Sequence, residues 1–184
     1  MSKVFVGGSR QISRLSPAVR ERLDRIVDKG LHILVGDANG ADKAVQRHLQ
    51  ERGYKDVLVY CVGGTYRNNL GNWPLRAVRP PSARKDFSYF AEKDRLMARE
   101  ADFGLMIWDG KSLGTLLNVS RLVGQQKKVV VYMAHERQAM EIKTESDFTG
   151  FLSLCGDDLR RRAMKQVERE EVGSRPVRQA ELFR

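Results

Sequence analysis

Short apolar runs that alternate with helix-forming stretches constrain the fold of this chain more than any other feature. Runs of this kind, bounded by turn residues, indicate buried strands. They occur at Lys3–Val6, Leu31–Val35, Val57–Cys61, Phe103–Trp108 and Lys128–Met133. Strands that alternate with helices form parallel β-α-β units with right-handed crossovers. We therefore predict an α/β protein with a Rossmann-like, doubly wound, mostly parallel five-stranded sheet, helices on both faces, and a C-terminal helix and tail.

The predicted helices lie between these strands. Ser16 and Pro17 supply a cap and a first-turn proline for a helix that ends at Gly30. Further helices are predicted over Ala41–Arg52, Phe87–Glu100, Gly114–Gly124 and, interrupted near Gly156, Thr149–Glu170. We divide the chain into a Rossmann-like domain (1–135), a helical C-terminal extension (136–172) and a flexible tail (173–184).

Composition narrows the class of protein. Hydrophobic residues make up 41% and charged residues 30% of the chain, as in globular proteins. No apolar run approaches the ~20 residues that span a bilayer, and the opening MSKVFVGGSR lacks the core of a signal peptide, so we expect a cytoplasmic protein. Two isolated cysteines and three scattered histidines predict neither a disulfide framework nor a metal site. The formal charge of +10 favours a polyanionic partner or a phosphorylated ligand.

The first candidate binding turn is Gly7-Gly8-Ser9-Arg10, at the end of the first strand. Ligands of doubly wound sheets bind at the carboxyl ends of the strands. Gly8 lets a ligand approach the backbone, Ser9 could hold a phosphate, and Arg10 could neutralise it. The alternative is a plain strand-to-helix turn.

The second candidate turn is Gly36-Asp37-Ala38-Asn39-Gly40-Ala41-Asp42, between the second strand and its helix. Gly36, Asn39 and Gly40 shape a helix N-terminus that favours an anion. Asp37 could contact a sugar or act as a catalytic acid or base. Asp42 is either a ligand contact or a carboxylate that stabilises the first helical turn.

The third candidate turn is residues 108–115, WDGKSLGT, after the Phe103–Trp108 strand. Glycines, a lysine and two hydroxyls before a helix suit a phosphate, although the Walker A spacing is absent. Its predicted phosphate ligands are Gly110, Lys111, Ser112, Gly114 and Thr115. Asp109 is a second candidate catalytic carboxylate, in support of Asp37. The alternative is a hydroxyl-rich helix cap.

Two further groups of residues could complete the site. Lys93 and Asp94 lie on the helix before the Phe103–Trp108 strand and either reach the site or form a surface ion pair. Arg67, Asn68 and Trp73 lie in a long glycine- and proline-rich segment, residues 62–85. Long irregular loops are usually functional or mobile, so these three could stack on a base or form a structural lid.

Taken together, the runs VFVGGSR, LVGDANGADKAVQRHL, RNNLGNW, KDRLMAREADFGLMIWDGKSLGT and KKVVVY resemble the YspA/YpsA-related branch of the SLOG superfamily over residues 3–132. The resemblance implies a Rossmann-like fold that binds nucleotides, NAD, ADP-ribose or related molecules, with no required cofactor and with dimers common among relatives. Related LOG-type enzymes cleave the N-glycosidic bond of nucleoside monophosphates, and related DprA proteins bind single-stranded DNA.

This sequence matches only some of the motif residues of these relatives. The LOG motif PGGxGTxxE is matched at its turn by residues 112–115, but Asn118 stands where the glutamate would be. An amide is not a carboxylate base, so hydrolysis would depend on Asp37 or Asp109. The DprA loops GSR and GxxxGxD are matched in kind by residues 8–10 and 36–42, whereas Lys93-Asp94-Arg95 only loosely resembles its RNR segment.

The last candidate is a short peptide near the C-terminus. Gln179, Leu182 and Phe183 resemble the Q-x-x-[LM]-F peptide with which bacterial replication and repair proteins dock on the sliding clamp. In such peptides the apolar pair fills a pocket and the glutamine fixes the register. The alternative is that Leu182 and Phe183 pack back onto the domain.

Three functional hypotheses follow. The first is a sensor or N-glycosidic-bond-processing enzyme that binds a nucleotide-derived ligand, with Asp37, Lys111 and Thr115 lining one pocket. The second is a DprA-like or clamp-tethered protein of DNA replication, repair or phage biology. It predicts a continuous basic surface that joins Arg10, Arg67, Arg76, Arg79 and Arg84. The third is a scaffold with a vestigial pocket.

Overall fold

The computed structural model describes residues 1–80, 84 and 86–174, with the backbone alone for 171–174. In chain order its elements are β1 (Lys3–Gly8), α1 (Pro17–Asp28), β2 (His32–Gly36), α2 (Ala41–Glu51), β3 (Val57–Val62), β4 (Leu75–Val78), α3 (Phe87–Glu100), β5 (Phe103–Trp108), α4 (Leu113–Val123), β6 (Lys128–Met133), β7 (Gln138–Ile142), α5 (Glu145–Ser153) and α6 (Asp157–Ser174). No helix among these residues is long and apolar enough to cross a membrane.

The strands form one twisted sheet whose order reverses in the middle. The described strands are ordered β4-β3-β2-β1-β5-β6-β7. All neighbours are parallel except the antiparallel pair β6–β7. The chain therefore winds outward from β1 in one direction and from β5 in the other. This reversal between β1 and β5 is the switch point at which doubly wound sheets bind ligands.

The Rossmann-like, doubly wound prediction is confirmed, but its strand count is wrong. The structure has seven strands within the described residues instead of five. The two additional strands are β4, inside the segment predicted as a long loop, and β7. Both lie at the sheet's edges, and most of their residues are exposed or half-buried. Because a half-exposed edge strand carries no continuous apolar run, the criterion that found the five others missed them.

Hydrophobic side chains cover both faces of the sheet. Val4 and Val6 face one core cluster with α1 and α2, whereas Phe5 between them faces a second cluster with α3, α4, α5 and α6. Successive side chains of a strand point to opposite faces, so continuous apolar strands need helices on both sides. This packing fixes the carboxyl ends of β1, β2 and β5 at one edge of the sheet.

The C-terminal helical region begins earlier than predicted. α5 starts at Glu145, and Thr144 caps it: its hydroxyl accepts a hydrogen bond from the Asp147 amide while the Asp147 carboxylate accepts one from the Thr144 amide. This reciprocal capping box satisfies two amides that a helix start would otherwise leave unpaired. The predicted interruption near Gly156 separates α5 from α6.

Candidate ligand site at the strand switch point

A cavity of about 550 Å³ opens at the carboxyl ends of the central strands. Turns after β1, β2 and β5 line it together with α3 and α4. The residues on its wall are Phe5, Gly7, Gly8, Ser9, Arg10, Gln11, Ala38, Asp42, Asp86, Phe87, Phe90, Ala91, Lys93, Asp94, Asp109, Lys111, Ser112, Gly114, Thr115, Asn118 and Arg121. The structure thus brings residues of all three predicted turns to one cavity.

Hydrogen bonds join the first turn to the third. The Ser9 amide donates to the Ile107 carbonyl (2.9 Å), and the Ser9 hydroxyl donates to Asp109 Oδ2 (2.6 Å). A Cβ atom on Gly8 would lie only 2.3 Å from the Ile107 carbonyl oxygen. Glycine is therefore required at the end of β1, beside Ile107 of β5. The hydrogen bond fixes Ser9 against Asp109.

Asp109 organises the third turn. Its Oδ1 accepts hydrogen bonds from the amides of Lys111 (3.0 Å) and Ser112 (2.8 Å). Burial alone would raise the pKa of Asp109, but the hydrogen bonds from Ser9 and these amides lower it below its usual value. Both oxygens are engaged, so this carboxylate holds the turn in shape as an ionised acceptor.

The start of α4 faces the cavity. The Ser112 hydroxyl caps the helix by accepting from the Thr115 amide (3.3 Å) and from its hydroxyl (3.0 Å). The amides of Leu113 and Gly114 belong to the first turn, whose N–H groups have no acceptor inside the helix. A Cβ atom on Gly114 would meet nothing within 4 Å. Gly114 therefore lies on the cavity wall with open space beside it, at a helix start whose amides have no acceptor within the helix.

The second turn packs under the first. Gly40 has a φ of +82°, and a Cβ atom there would lie 2.3 Å from the Arg10 carbonyl oxygen. The Ala41 amide donates to the Ser9 carbonyl (3.0 Å). Only glycine fits both the left-handed backbone and this close approach. Asp42 is thereby placed on the cavity wall, at the first turn of α2.

Asp42, Lys93 and Asp94 form a buried charged cluster beside the cavity. Lys93 Nζ lies 2.8 Å from Asp94 Oδ1 and 3.7 Å from Asp42 Oδ2, with the Lys93 and Asp42 side chains over nine-tenths buried. A Cβ atom on Gly36 would come within 2.4 Å of both Asp42 and Lys93. Burial, assisted by repulsion from Asp94 and opposed by Lys93, raises the pKa of Asp42 to about 6.

Asp37 does not line the cavity. Arg67 binds both of its carboxylate oxygens, with Nη2 2.7 Å from Oδ1 and Nε 3.1 Å from Oδ2, and the Arg67 amide also donates to Oδ2. Burial alone would raise the pKa of Asp37, but these hydrogen bonds and the charge of Lys93 lower it. The predicted catalytic aspartate instead anchors the segment after β3.

Two of the predicted lid residues, Asn68 and Trp73, make structural contacts. Asn68 donates to the Asp37 carbonyl (2.8 Å) and to Asn39 Oδ1 (3.0 Å). Trp73 is buried in the α1–α2 core and donates to the Tyr54 carbonyl (2.8 Å), so it is not placed to stack on a ligand. Only Arg67 approaches the site, since its guanidinium lies 5.3 Å from the ring centre of Phe90 on the cavity wall.

Phe87, Phe90 and Arg121 are wall residues that the sequence analysis did not select, and Asn118 was considered only as the residue in place of a catalytic glutamate. Phe87 and Phe90 of α3 form an apolar wall, and Arg10 also lies over the Phe90 ring (5.5 Å). Asn118 and Arg121 of α4 extend the wall beyond the helix's first turn. Their spacing from Gly114 on one helix was the available signal, because residues three or four apart share a face.

The remaining predictions concern metals and the tail. Among the residues described, no group of three or more histidine, cysteine, aspartate or glutamate side chains is placed to hold a metal ion. Gln179, Leu182 and Phe183 lie outside the described residues.

Comparisons with known proteins give the fold. No family model and no curated protein matches this chain. The solved structure of DNA processing protein A (DprA) from Streptococcus pneumoniae is similar to it, with a TM-score of 0.56 and 16% identity over 81% of this chain and 61% of that one. This chain thus spans about three-fifths of that protein's length.

A second DprA structure, from Helicobacter pylori, describes that protein's single-stranded DNA binding mode. It has a TM-score of 0.56 and 14% identity over 91% of this chain and 80% of that one. Because the identities are this low, the two similarities show a shared Rossmann-like fold and no more. The relation to DprA that the loop motifs indicated is supported at that level.

Proposed function

We propose that the cavity at the switch point binds a nucleotide or nucleotide-derived ligand. The observation that carries the proposal is the convergence of three glycine-containing turns and a helix N-terminus on one cavity of about 550 Å³. Ligand pockets for small molecules and cofactors have volumes of roughly 300–1,000 Å³. The order of the motifs further supports placing the chain in the YspA/YpsA-related branch of the SLOG superfamily.

The phosphate of this ligand is assigned to the start of α4. Free amides and the helix dipole attract an anion there, and Ser112 and Thr115 add hydroxyls. Lys111 and Arg10 are exposed cations on the same wall. The phosphate would therefore lie against the positive end of a helix and near two exposed positive charges.

The base and sugar are assigned to the other walls. Phe87 and Phe90 offer the apolar surface that a base needs, and Asp42 and Asp94 are the carboxylates near which a sugar hydroxyl could lie. Asp37 is left out of this assignment because Arg67 binds both of its carboxylate oxygens. If the bound nucleotide is cleaved at its N-glycosidic bond, Asp42 is the carboxyl with the pKa suited to proton transfer near neutral pH.

Filling the cavity tests the proposal. Gly114→Leu places a side chain into open space without a backbone clash, and Gly150→Leu is the matched control, because a Cβ atom there also meets nothing within 4 Å. The panel consists of nucleoside monophosphates, NAD and ADP-ribose. A ligand at a hundredfold excess over its Kd should stabilise the wild type and Gly150→Leu by about 2.7 kcal/mol. Gly114→Leu should show no such shift. Equal stabilisation of both variants, or none of the wild type, would contradict the proposal.

We propose single-stranded DNA binding as the second candidate function. Its support is the fold shared with DprA, one example of which was solved for its single-stranded DNA binding mode, and the net charge of +10. Some of the predicted basic surface is already paired: Arg67 with Asp37 and Arg76 with Glu100. Arg79, directly after β4, is exposed without an ion pair among the described residues.

A salt titration with a labelled oligonucleotide tests this candidate. For single strands, log Kd should change with log salt with a slope of roughly 0.7 per phosphate contacted. Arg79→Ala should reduce that slope by about 0.7. Arg20→Ala, which removes an exposed arginine from α1, should leave it unchanged. A binding constant independent of salt would exclude this function.

We also propose that Gln179, Leu182 and Phe183 dock the chain on a bacterial sliding clamp. The proposal rests on the sequence Q-A-E-L-F alone. Deletion of residues 179–184 should abolish binding to purified clamp, as should the double substitution of Leu182 and Phe183 by alanine. Unchanged affinity after the deletion would remove the proposal.

A further inference from the structure

Arg121 forms the partition between two cavities. It lines the ligand cavity and also a second cavity of about 600 Å³ between α3, α4 and α6. Its side chain is only 8% exposed. Arg121 therefore borders both cavities while most of its side chain is buried.

The partner that holds Arg121 comes from α6. Its Nε donates to Glu170 Oε2 (2.9 Å) and its Nη2 to Oε1 (2.6 Å), while Nη1 donates to Asn118 Oδ1 (2.6 Å). This is the two-pronged geometry with which arginine binds carboxylate or phosphate. Glu170 thus occupies the fork that an anionic ligand group would use.

The surroundings of Glu170 are basic. The second cavity carries Arg95, Arg99, Arg121 and Arg169 against Glu92 and Glu170. Burial alone would raise the pKa of Glu170, but Arg121 and Arg95 lower it, so it is ionised at neutral pH. If a ligand anion displaced Glu170 from Arg121, Arg95 at 3.1 Å would still hold the carboxylate. Displacement would therefore leave no charge unpaired.

Arg121 is also connected to the ligand cavity's charged cluster. Asn118, which accepts from Arg121, donates to Asp94 Oδ2 (3.5 Å), and Asp94 accepts from Lys93 (2.8 Å). Asn118 and Arg121 follow Gly114 by four and seven residues, which places them about 6 and 10 Å further along the helix axis. An anion at Arg121 would thus lie several ångströms from one at the helix start.

We propose that Arg121 is a second phosphate-binding position of the ligand cavity, which Glu170 of α6 occupies until a ligand with two separated phosphate groups displaces it. The inference rests on the proposed nucleotide-binding function and specifies its ligand. A nucleotide with phosphates on both sides of the sugar can place one phosphate at the start of α4 and the other at Arg121. A monophosphate meets only the helix start.

Calorimetric titration of adenosine 5′-monophosphate and adenosine 3′,5′-bisphosphate tests the inference. Glu170→Gln removes the competing charge, and Glu168→Gln, exposed on the same helix, makes the same charge change elsewhere. Glu170→Gln should raise the affinity for the bisphosphate about tenfold. The monophosphate should bind all three proteins equally. Arg121→Met should lower the affinity for the bisphosphate to that for the monophosphate.

The possible outcomes distinguish failure of this inference from failure of the proposed nucleotide-binding function. If the wild type binds neither these two nucleotides nor any member of the nucleotide panel, the proposed function fails and the inference fails with it. If it binds a member of the panel but not the bisphosphate, only the inference is overturned. If the monophosphate binds but neither Glu170→Gln nor Arg121→Met changes the affinity for the bisphosphate, only the inference is overturned. Equal gains for both nucleotides in Glu170→Gln would indicate a general charge effect and would also overturn it.

Discussion

Two aspartates five positions apart, Asp37 and Asp42, show how tertiary partners decide the chemistry of a residue. Asp37 is matched by an arginine and stays ionised, whereas Asp42 shares one buried lysine with Asp94. The sequence indicated that both lie in a turn at the end of β2. It could not indicate which one faces the cavity, because Arg67 and Lys93 come from distant segments.

At the residue scale, Asp42 should make folding less favourable as pH rises. Its pKa is about 6 in the folded protein against 3.8 in the unfolded chain. Between these values the folded state binds the additional proton, so stability falls from about pH 4 to pH 6. Asp42→Asn removes this linkage. Its stability relative to wild type should rise by about 2 kcal/mol between pH 4 and pH 7, as measured by urea denaturation. A difference independent of pH would contradict it.

Asp37 should show the opposite dependence on pH. Its folded pKa is below the unfolded value, so its contribution is complete above about pH 4 and is lost as pH falls through the folded pKa. Asp37→Asn should cost about 2 kcal/mol at pH 7, a modest figure because Arg67 is 36% exposed and keeps part of its hydration. The same denaturation series should show this cost shrinking below pH 4. A cost that persists undiminished there would indicate that the ion pair is not its source.

At the element scale, the glycines of the site differ in what they do. Gly8 of β1 lies beside Ile107, its partner on the parallel strand β5, and Gly114 lies in the open first turn of α4. Gly8→Ala should destabilise the fold by about 3 kcal/mol, because the Ile107 carbonyl and the Cβ atoms of Ala41 and Ile107 surround the added methyl group and cannot rotate away. Gly114→Ala should be neutral or stabilising by up to about 1 kcal/mol. Chemical denaturation with equal m-values measures both, and equal effects would contradict the assigned close approach.

Buried strands could be predicted from the sequence, whereas exposed edge strands could not. The strands β1, β2, β3, β5 and β6 could be predicted because helices cover both of their faces, which requires nearly continuous apolar sequence. β4 and β7 carry exposed side chains such as Arg76 and Glu141, and their pairing is decided by neighbours distant in sequence. The convergence of the three turns was also predictable, because the carboxyl ends of parallel strands lie at the same edge of a doubly wound sheet. The contributions of α3 and the Arg121–Glu170 pair depend on helix packing, which no local pattern encodes.

At the scale of the whole molecule, the C-terminal elements belong to the main core. β7 pairs with β6, and Phe148, Phe151 and Leu152 of α5 are buried in the cluster that contains Trp108. The Phe151 and Trp108 rings lie 5.2 Å apart, and Trp108 leads directly into the third turn of the site. The extension therefore supports the site from behind.

This packing predicts that residues 1–135 do not fold stably alone. Without the extension, the burial of Ile142, Phe148, Phe151 and Leu152 is lost, which costs about 8 kcal/mol at roughly 2 per large apolar side chain. Domains are stable by only about 5–15 kcal/mol, and β6 would become an unpaired edge. Fragment 1–135 should lack a cooperative thermal transition, whereas Phe151→Ala in the full chain should lose about 3–5 kcal/mol and keep one. Cooperative unfolding of the fragment near the full chain's Tm would instead make residue 135 a true domain border, and α6 with its Glu170 would then be an appendage to an already complete site.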